Sequence, residues 1–360
     1  MSTLPELRKA IDAVDDELLR LLNERARLVK SVGALKAALA QPFYVPHRER
    51  QIVERLQEMN AGPFPTEALR AVFSEVISAC LSLEHPLRVA FLGPEATFTH
   101  MAARSRFGLS ARYVPAATIA GVFGEVDRGL ADLAVVPIEN STEGVVNSTL
   151  DVFMDSDALI SAEIVLEVSH CLLDRSGTLD GIQKVYSHPQ ALAQCRGWLS
   201  ANLPKAALIE VASTALAARL AKDDPVAAAV ASELAGQLYD LRIAKAKIED
   251  EAKNVTRFLV IGRQAAVRTG RDKTSLMLSV KDQSGVLYKM LGPLAERGIN
   301  LTRIESRPSR RRAWDYVFFI DLDGHIDDEP VAKAVEGLRG ACEHVKVLGS
   351  YPRADQPEQP

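Results

Sequence analysis

The sequence predicts a multidomain protein with an all-α domain, then an α/β domain, then an α+β domain of ferredoxin-like order. A regular helical spacing of apolar residues predicts the first domain, and short apolar runs alternating with helical stretches predict the second. The order strand, helix, strand, strand, helix, strand predicts the third. We place these domains at residues 1–86, 87–263 and 273–351. A tail at 352–360 carries no large apolar residue and is expected to be disordered.

Composition excludes several functional classes. The 360 residues are 47% hydrophobic and 25% charged, which is typical of a globular protein, and the net charge of −4 predicts neither a nucleic-acid nor a membrane partner. Neither a signal peptide nor a membrane-spanning run is evident, so a cytoplasmic location is expected. Because Cys80, Cys171, Cys195 and Cys342 form no CxxC pair and no metal-ligand spacing occurs, we expect reduced thiols, no metal and no cofactor.

The first domain begins with one long amphipathic helix. Its apolar residues follow a repeated spacing of four and three: Leu7, Ile11, Val14, Leu18, Leu21, Leu28, Val32, Leu35 and Leu39. Such a helix is roughly 50 Å long and too long to be sheltered by two short helices, which predicts dimerisation along it. The second helix is expected from Pro46 to Met59, and the third is expected to be capped by Thr66 and to end at Glu84.

A cationic residue interrupts the apolar seam of the long helix. Arg25 stands between Leu21 and Leu28, and Lys36 lies on nearly the same face roughly 16 Å further along, so the two cations suit a small dianion. Arg8 is roughly 25 Å from Arg25 on this helix and can join the site only from an antiparallel second chain. The alternative is an ion pair that fixes the register of a bundle, for example between Arg25 and Glu84.

Four segments of this domain are similar to the all-helical class of chorismate mutase over about 85 residues. They are Leu7 to Asp15, Leu21 to Arg25, Val32 to Lys36 and Arg48 to Arg50. The resemblance implies a pocket that isomerises a dicarboxylate without a nucleophile, by holding its folded conformer and stabilising charge on the breaking ether bond. It implies catalytic roles for Arg25, Lys36 and Glu84, and substrate contacts from Arg8 of a partner chain, Arg48, Glu49 and Cys80.

The chain departs from the mutase pattern at Val45, Cys80 and Glu84, where some members have Asp, Ser and Gln. The Glu84 exchange matters most. A Gln donates to the ether oxygen at any pH, whereas a Glu must be protonated to do so, so mutase activity is expected to fall as the pH rises.

In the α/β domain, polar residues cluster at the ends of apolar runs. These clusters are Gly93 to His100, Val136 to Gly144, Ser187 to Gln190 and Asn254 to Phe258. Ligands of α/β proteins bind at such strand ends. The alternative is ordinary turn chemistry, in which Asn254 and Thr256 only cap the turn before the next strand.

Together these clusters resemble prephenate dehydratase along residues 87–262, and Thr256-Arg257-Phe258 matches that family's signature. The resemblance implies a two-lobed fold like that of periplasmic binding proteins, with Thr256 as the catalytic residue. It implies substrate contacts from Thr97, Asn140, Ser187, Gln194, Ser213, Thr214 and Arg257. Ala96, Thr99 and Ala212 stand where relatives have Gly, Ser and, in some, Glu.

We hypothesise that Thr256 donates a hydrogen bond to the hydroxyl that leaves prephenate. Aromatisation drives the loss of carbon dioxide and hydroxide, so the enzyme needs mainly to assist the departing hydroxyl. A threonine hydroxyl is able to donate to one group while it accepts from another.

The third domain resembles the amino-acid-binding ACT module attached to prephenate dehydratases. The resemblance rests on Asp282 to Tyr288 and on Glu305 to Pro308. It implies L-phenylalanine as an effector bound between paired modules, through Gly285, Val286, Leu287, Glu305, Ser306, Arg307 and Pro308. The run Arg310 to Arg312 is expected to be a solvated loop.

The three resemblances imply an enzyme of phenylalanine biosynthesis with two activities, from chorismate to prephenate and from prephenate to phenylpyruvate, inhibited by L-phenylalanine. A homodimer or higher homo-oligomer is expected. Two alternatives stay open: a dehydratase whose mutase domain is silent, given Val45, Cys80 and Glu84, and an amino-acid sensor without catalysis.

Overall fold

The computed structural model describes residues 3–39, 46–251, 254–281, 284–308 and 316–354. It divides into two compact units, one of Met1–Arg88 with Arg104–Arg112 and the other of Val89–Ala103 with Tyr113–Pro360. Some predictions fall outside the described residues, namely those for Val45, Asp282, Gln283, Arg310 to Arg312 and the tail beyond Ala354.

The first unit is built from helices, as predicted: α1 (Leu4–Ala38), α2 (Pro46–Met59) and α3 (Thr66–Glu84). The prediction that Thr66 caps α3 is wrong, because Pro65 occupies the cap position and Thr66 is already helical. The Thr66 hydroxyl instead accepts a hydrogen bond of 2.9 Å from Asn60 Nδ2 in the preceding loop. Within the described residues, no helix combines the length and apolar character needed to cross a membrane.

The apolar seam of α1 is exposed in a single chain. The nine seam residues from Leu7 to Leu39 are each between 45% and 65% exposed. Among the described residues of α1, only Gly33 is buried. An apolar stripe of this length stays in water unless another surface covers it.

The second unit alternates strands and helices. Its strands are β1 (Arg88–Leu92), β2 (Arg112–Ala116), β3 (Leu133–Asn140), β4 (Gly144–Val145), β5 (Leu159–Glu167), β6 (Cys171–Asp174), β7 (Lys184–Ser187), β8 (Ala207–Glu210), β9 (Ala227–Ala231), β10 (Arg242–Lys245), β11 (Val255–Gly262), β12 (Asp272–Val280), β13 (Leu301–Pro308), β14 (Tyr316–Asp323) and β15 (His344–Pro352). Its helices are α4 (Phe98–Phe107), α5 (Ile119–Asp127), α6 (Asn147–Phe153), α7 (Pro189–Gln194), α8 (Arg196–Asn202), α9 (Thr214–Asp223), α10 (Glu233–Tyr239), α11 (Val286–Ala295) and α12 (Glu329–Ala341). The last turn of α4 and the first residues of β1 and β2 belong to the first unit.

Two sheets form the two-lobed α/β part, which confirms the predicted fold class. The first has the strand order β2-β1-β3-β11-β5, with β4 beside β3, and the second has the order β10-β6-β9-β7-β8. The chain leaves the first sheet after β5 and returns to it in β11. Strand β11, which re-enters the first sheet from the second, runs antiparallel to both β3 and β5, so the first sheet is less parallel than predicted.

The third sheet has the order β13-β14-β12-β15, with α11 and α12 in the predicted βαββαβ sequence. Strand β15 extends four residues beyond the predicted end at Leu348 and buries Tyr351 completely. It packs against β5 of the first sheet, where a Cβ at Gly349 would lie 2.9 Å from Ile160 N. The absence of a side chain at Gly349 therefore lets the two sheets approach closely.

Candidate functional site

A cleft of about 540 Å³ opens where loops of the first and second sheets meet. Its volume suits a small-molecule ligand. Six of the residues predicted for dehydratase chemistry line it: Thr97, Asn140, Gln194, Ser213, Thr214 and Thr256.

Asn140 sets the direction of the hydrogen bonds in this cleft. Its Oδ1 accepts from the backbone N–H groups of Thr142 and Glu143 at 3.0 and 3.1 Å. Its Nδ2 therefore donates, at 2.7 Å both to Asn254 Oδ1 and to Thr256 Oγ1. Because the Thr256 oxygen accepts from Asn140, its own hydrogen is left to donate into the cleft, and the bond it accepts polarises the hydroxyl.

The same network continues to His170, for which the sequence predicts no role. Asn254 Nδ2 donates to Gln194 Oε1 at 3.0 Å, and His170 Nε2 lies 2.8 Å from that oxygen. Since the Gln194 atom is an acceptor, His170 carries its proton on Nε2. Burial lowers the pKa of His170, against the opposing effects of Gln194 and Glu249, so the ring is neutral near pH 7. The sequence signal was a histidine directly before an apolar strand.

Two helices begin at the wall of the cleft. Ser213 caps α9, since its hydroxyl accepts from Leu216 N at 3.0 Å. Thr97 precedes α4, and its hydroxyl donates to Leu92 O at 3.0 Å and accepts from His100 N. The free N–H groups at helix starts are suited to carboxylates.

A carboxylate and an imidazole face each other at the rim of the cleft. Burial raises the pKa of Glu143, an effect that the nearby His188 opposes. His188 Nδ1 accepts from Gln190 N at the start of α7. Neither residue was predicted individually as a site residue, although both belong to the clusters quoted above.

Two predicted substrate contacts do not lie in the cleft. Ser187 is fully buried at the end of β7, and its hydroxyl donates to Val230 O at 2.6 Å, which ties β7 to β9. Arg257 follows Thr256 on β11, and adjacent residues of a strand point to opposite faces. Its guanidinium therefore points away from the cleft and binds Glu163, Asp321 and Tyr351.

In the helical unit, the structure brings Lys36 and Glu84 together. Lys36 Nζ lies 3.5 Å from Glu84 Oε2, and both side chains are largely buried. A Cβ at Gly33 would lie 2.9 Å from Glu84 Cγ, so this glycine lets α3 place Glu84 against α1. Arg25 does not pair with Glu84 as the alternative supposed: among the described residues, its buried Nη1 has no hydrogen-bond partner. A buried cationic nitrogen in that state is suited to an anionic ligand.

The other predicted mutase residues are more dispersed. Arg8 and Arg48 are exposed, and Cys80 is buried on α3. Glu49 Oε2 lies 3.2 Å from Arg106 Nη1 in the same compact unit. Arg8 lies near the start of the continuous helix α1 and is distant from Arg25 on the same helix. That Arg8 contributes to the site of a second chain therefore stays a prediction.

The predicted effector residues lie at the start of α11 and on β13. Gly285 has a φ of +77°, a left-handed conformation that favours glycine, and precedes Val286 and the exposed Leu287. The segment from Glu305 to Pro308 ends β13, which is an edge strand. Arg307 Nη2 lies 2.9 Å from Asp151 Oδ1 on α6, so this side chain contacts the α/β part.

Three family profiles match consecutive parts of the chain. "Chorismate mutase type II" matches residues 7–85, "Prephenate dehydratase" matches residues 89–266, and "ACT domain" matches residues 274–340. The three matches follow the order of the structural domains.

Individual proteins match over most or all of the chain. The bifunctional chorismate mutase/prephenate dehydratase of Aquifex aeolicus is 52% identical over 98% of this chain and 99% of its own. The prephenate dehydratase of Arthrobacter aurescens, solved in complex with L-Phe, is 37% identical with a TM-score of 0.69 and covers 76% of this chain and 92% of its own. GqqA, described as a quorum-quenching acylase, is 32% identical with a TM-score of 0.69 and covers 74% of this chain and 98% of its own. The chain belongs to the bifunctional chorismate mutase/prephenate dehydratase family.

Proposed function

We propose that this chain converts chorismate to prephenate in its helical unit and prephenate to phenylpyruvate in its cleft, and that L-phenylalanine bound to the ACT domain inhibits it. The hydrogen bond of 2.7 Å from Asn140 Nδ2 to Thr256 Oγ1 carries the dehydratase proposal. It leaves the Thr256 hydrogen available to a ligand in the cleft, at the residue that the family signature marks. The functional domains keep the bounds 1–86, 87–263 and 273–351.

In the dehydratase step, Thr256 donates its hydrogen bond to the leaving hydroxyl of prephenate. The hydroxyl departs as hydroxide, which this hydrogen bond stabilises and which a proton from solvent then converts to water. The ring carboxylate departs as carbon dioxide, and the electron pair of the broken carbon–carbon bond completes the aromatic ring. Asn140 strengthens this donor and holds its rotamer through its bonds to Thr256 and Asn254. Gln194 and the neutral His170 fix the far side of the network.

The substrate's carboxylates are placed at the helix starts in the cleft wall. Ser213 and Thr214 lie at the start of α9, and Thr97 lies just before α4. Their backbone N–H groups supply donors without a fixed full charge, which leaves a carboxylate free to depart as neutral carbon dioxide.

In the mutase step, Arg25 and Lys36 hold the two carboxylates of chorismate in the folded conformer. Their positive charge also stabilises the ether oxygen as its bond breaks. Cys80 and Glu84 complete the wall on α3, with Arg48 and Glu49 from α2. Arg8 comes from a second copy of the chain, because α1 carries it away from Arg25.

We propose a homodimer that covers the exposed seam of α1, with further pairing at the edge strand β13. The seam is long, apolar and exposed in one chain. L-Phenylalanine binds between paired ACT domains, against Gly285, Val286 and Leu287 and the residues Glu305 and Ser306. The buried, free thiols of Cys80, Cys171 and Cys195 fit a reducing, cytoplasmic location.

The test is a time course with purified protein and chorismate, in which chorismate, prephenate and phenylpyruvate are quantified with and without L-phenylalanine. We expect phenylpyruvate to appear after prephenate and to be suppressed by L-phenylalanine. Conversion of added prephenate but not of chorismate would indicate a silent mutase domain. Binding of L-phenylalanine without turnover of either substrate would indicate a sensor.

Replacing Glu84 by Gln tests the mutase site. The amide carries an N–H donor for the ether oxygen, which a carboxylate lacks, and no longer neutralises Lys36. We expect mutase kcat/KM to rise roughly tenfold, the value of one good hydrogen bond to a charged group. Dehydratase activity of the same sample is the internal control, and an unchanged mutase kcat/KM would contradict the assigned role of Glu84.

A further inference from the structure

Next to Thr256 and Asn140, here called the catalytic pair, lies a second pair of residues, Arg257 and Glu139, on the opposite face of the sheet. In the register of β11 and β3, Thr256 pairs with Asn140 and Arg257 pairs with Glu139. Because side chains alternate along a strand, Thr256 and Asn140 face the cleft while their neighbours face the other way. The register shifts immediately after Arg257, and such bulges redirect side chains next to active sites.

Arg257 joins three strands of the unit. Its Nε lies 2.7 Å from Glu163 Oε2 on β5, its Nη1 lies 2.7 Å from Asp321 Oδ2 on β14, and its Nη2 donates to Tyr351 OH on β15 at 3.0 Å. The Arg257 side chain is only 13% exposed. Arg257, which is adjacent to Thr256, therefore has three partners, and two of them, Asp321 and Tyr351, belong to the ACT sheet.

The charges of this cluster depend on one another. Burial alone would disfavour the Arg257 cation, but Tyr351, Asp321 and Glu163 raise its pKa. Burial would likewise disfavour the Asp321 carboxylate, but Arg257 and Arg303 lower its pKa. Separating one partner from a buried ionic cluster leaves the others uncompensated, so we expect a displacement of one member to displace the others.

A second contact connects the edge strand β13 to the cleft. Arg303 Nε lies 3.5 Å from Glu139 Oε2, next to Asn140, and Arg303 is the register partner of Asp321. Its Nη2 is buried without a hydrogen-bond partner among the described residues. Arg307, four residues further along β13, contacts Asp151. The strand that ends in the proposed effector motif therefore contacts β3 beside Asn140 and α6 at Asp151.

We propose that Arg257 and Glu139 are positioning residues, through which Asp321 and Arg303 of the ACT sheet set the geometry of Thr256 and Asn140. This inference rests on the proposed function, in which Thr256 is the donor and L-phenylalanine binds the ACT domain. Effector binding that moves β13 and β14 therefore shifts β3 at Glu139 and β11 at Arg257, next to Asn140 and Thr256. A displacement of a catalytic group by about 1 Å is enough to lower a rate about 100-fold.

The first test is Arg257→Lys, which keeps the positive charge but replaces a three-partner fork by a single attachment point. We expect the dehydratase kcat to fall about 10- to 100-fold, with KM for prephenate within about threefold, because positioning of the reacting group is lost rather than binding. The matched control is Lys333→Gln, which breaks an exposed ion pair with Glu329 in the ACT domain and should leave kcat and inhibition unchanged.

The second test is Asp321→Asn, which removes the ACT-side charge while Arg257 keeps Glu163. We expect the Kd for L-phenylalanine, measured by calorimetry, to stay within about threefold of the wild-type value. The L-phenylalanine concentration that half-inhibits the dehydratase should rise at least about fivefold, because Asp321 couples the two sites and does not bind the effector. In the double variant Arg257→Lys/Asp321→Asn, the loss of inhibition should be no greater than in the more affected single variant, as expected for residues that act as a unit.

Wild-type kcat in Arg257→Lys together with full inhibition of Asp321→Asn would overturn the inference, as would loss of L-phenylalanine binding in parallel with inhibition. Additive effects in the double variant would also contradict it. The unmodified chain is assayed first. If it does not convert prephenate or does not respond to L-phenylalanine, the proposed function fails, and this outcome is distinct from failure of the present inference.

Discussion

Replacing Thr256 by alanine should lower the dehydratase kcat by about 10³-fold, within the range expected for loss of a positioned proton donor. The Thr256 oxygen already accepts from Asn140 Nδ2 at 2.7 Å, so its hydrogen has no other partner among the described residues of the cleft. The variant removes this donor and leaves unchanged the helix starts that we propose bind the carboxylates. KM for prephenate should therefore change by less than about threefold.

The serine variant is the matched control for this experiment. Thr256→Ser keeps the hydroxyl and its bond to Asn140 and should retain activity within about tenfold of wild type. Mutase activity, located in the helical unit, should be unchanged in both variants. If Thr256 only caps the turn into β11, the alanine variant would unfold at a lower temperature while its kcat stayed at the wild-type value, and the donor role would have to be abandoned.

The cleft was predictable because it is built from strand ends. Asn140 and Thr256 each stand where an apolar run ends or begins, and strands of one sheet bring such positions to one edge. Their pairing across β3 and β11 is a long-range contact that no local pattern shows, but the family signature supplied one partner and the polar cluster after β3 supplied the other. The cleft accordingly lies within residues 87–262, where the sequence predicts the strand-end clusters to meet.

The direction of a side chain was less accessible from the sequence. Arg257 belongs to the same signature as Thr256, and a signature does not state which face of the sheet each residue occupies. Alternation along β11 sends Arg257 to the ACT sheet, where Asp321 and Tyr351 compensate its charge. Those partners lie 64 and 94 residues away in the chain, so only the folded structure shows that the arginine is part of an interdomain cluster.

The sequence also did not show the hydrogen-bond partners of Ser187 and His170. As a result, it overestimated the role of Ser187 and missed that of His170. Ser187 ends a strand, as a ligand-binding residue would, but its hydroxyl is used to bind Val230 O inside the sheet. His170 has no motif around it, yet it lies in the cleft wall and donates to Gln194. In both cases, the hydrogen-bond partner decides the role, and that partner lies on a different strand or helix.

Arg8→Ala and Arg25→Ala should each lower mutase activity at least about 100-fold, the effect of removing one charged group that stabilises the transition state. Helix α1 is continuous from Leu4 to Ala38, so Arg8 stands roughly 25 Å from Arg25 of its own chain. The two arginines therefore meet in one pocket only if two chains pack antiparallel along the exposed seam. A mixture of the two variants then contains dimers in which one site has both arginines.

Co-expression of the two variants in equal amounts should restore about a quarter of wild-type mutase activity, because half of the dimers are mixed and each mixed dimer has one intact site of two. Leu18→Lys on both chains places charges on the seam and should abolish this restoration, whereas Asp16→Lys, at a polar exposed position of the same helix, should not. Dehydratase activity should stay at the wild-type level in the two arginine variants. If the mixture stays as inactive as its components, Arg8 does not enter a partner's site, and the exposed seam of α1 requires a different explanation.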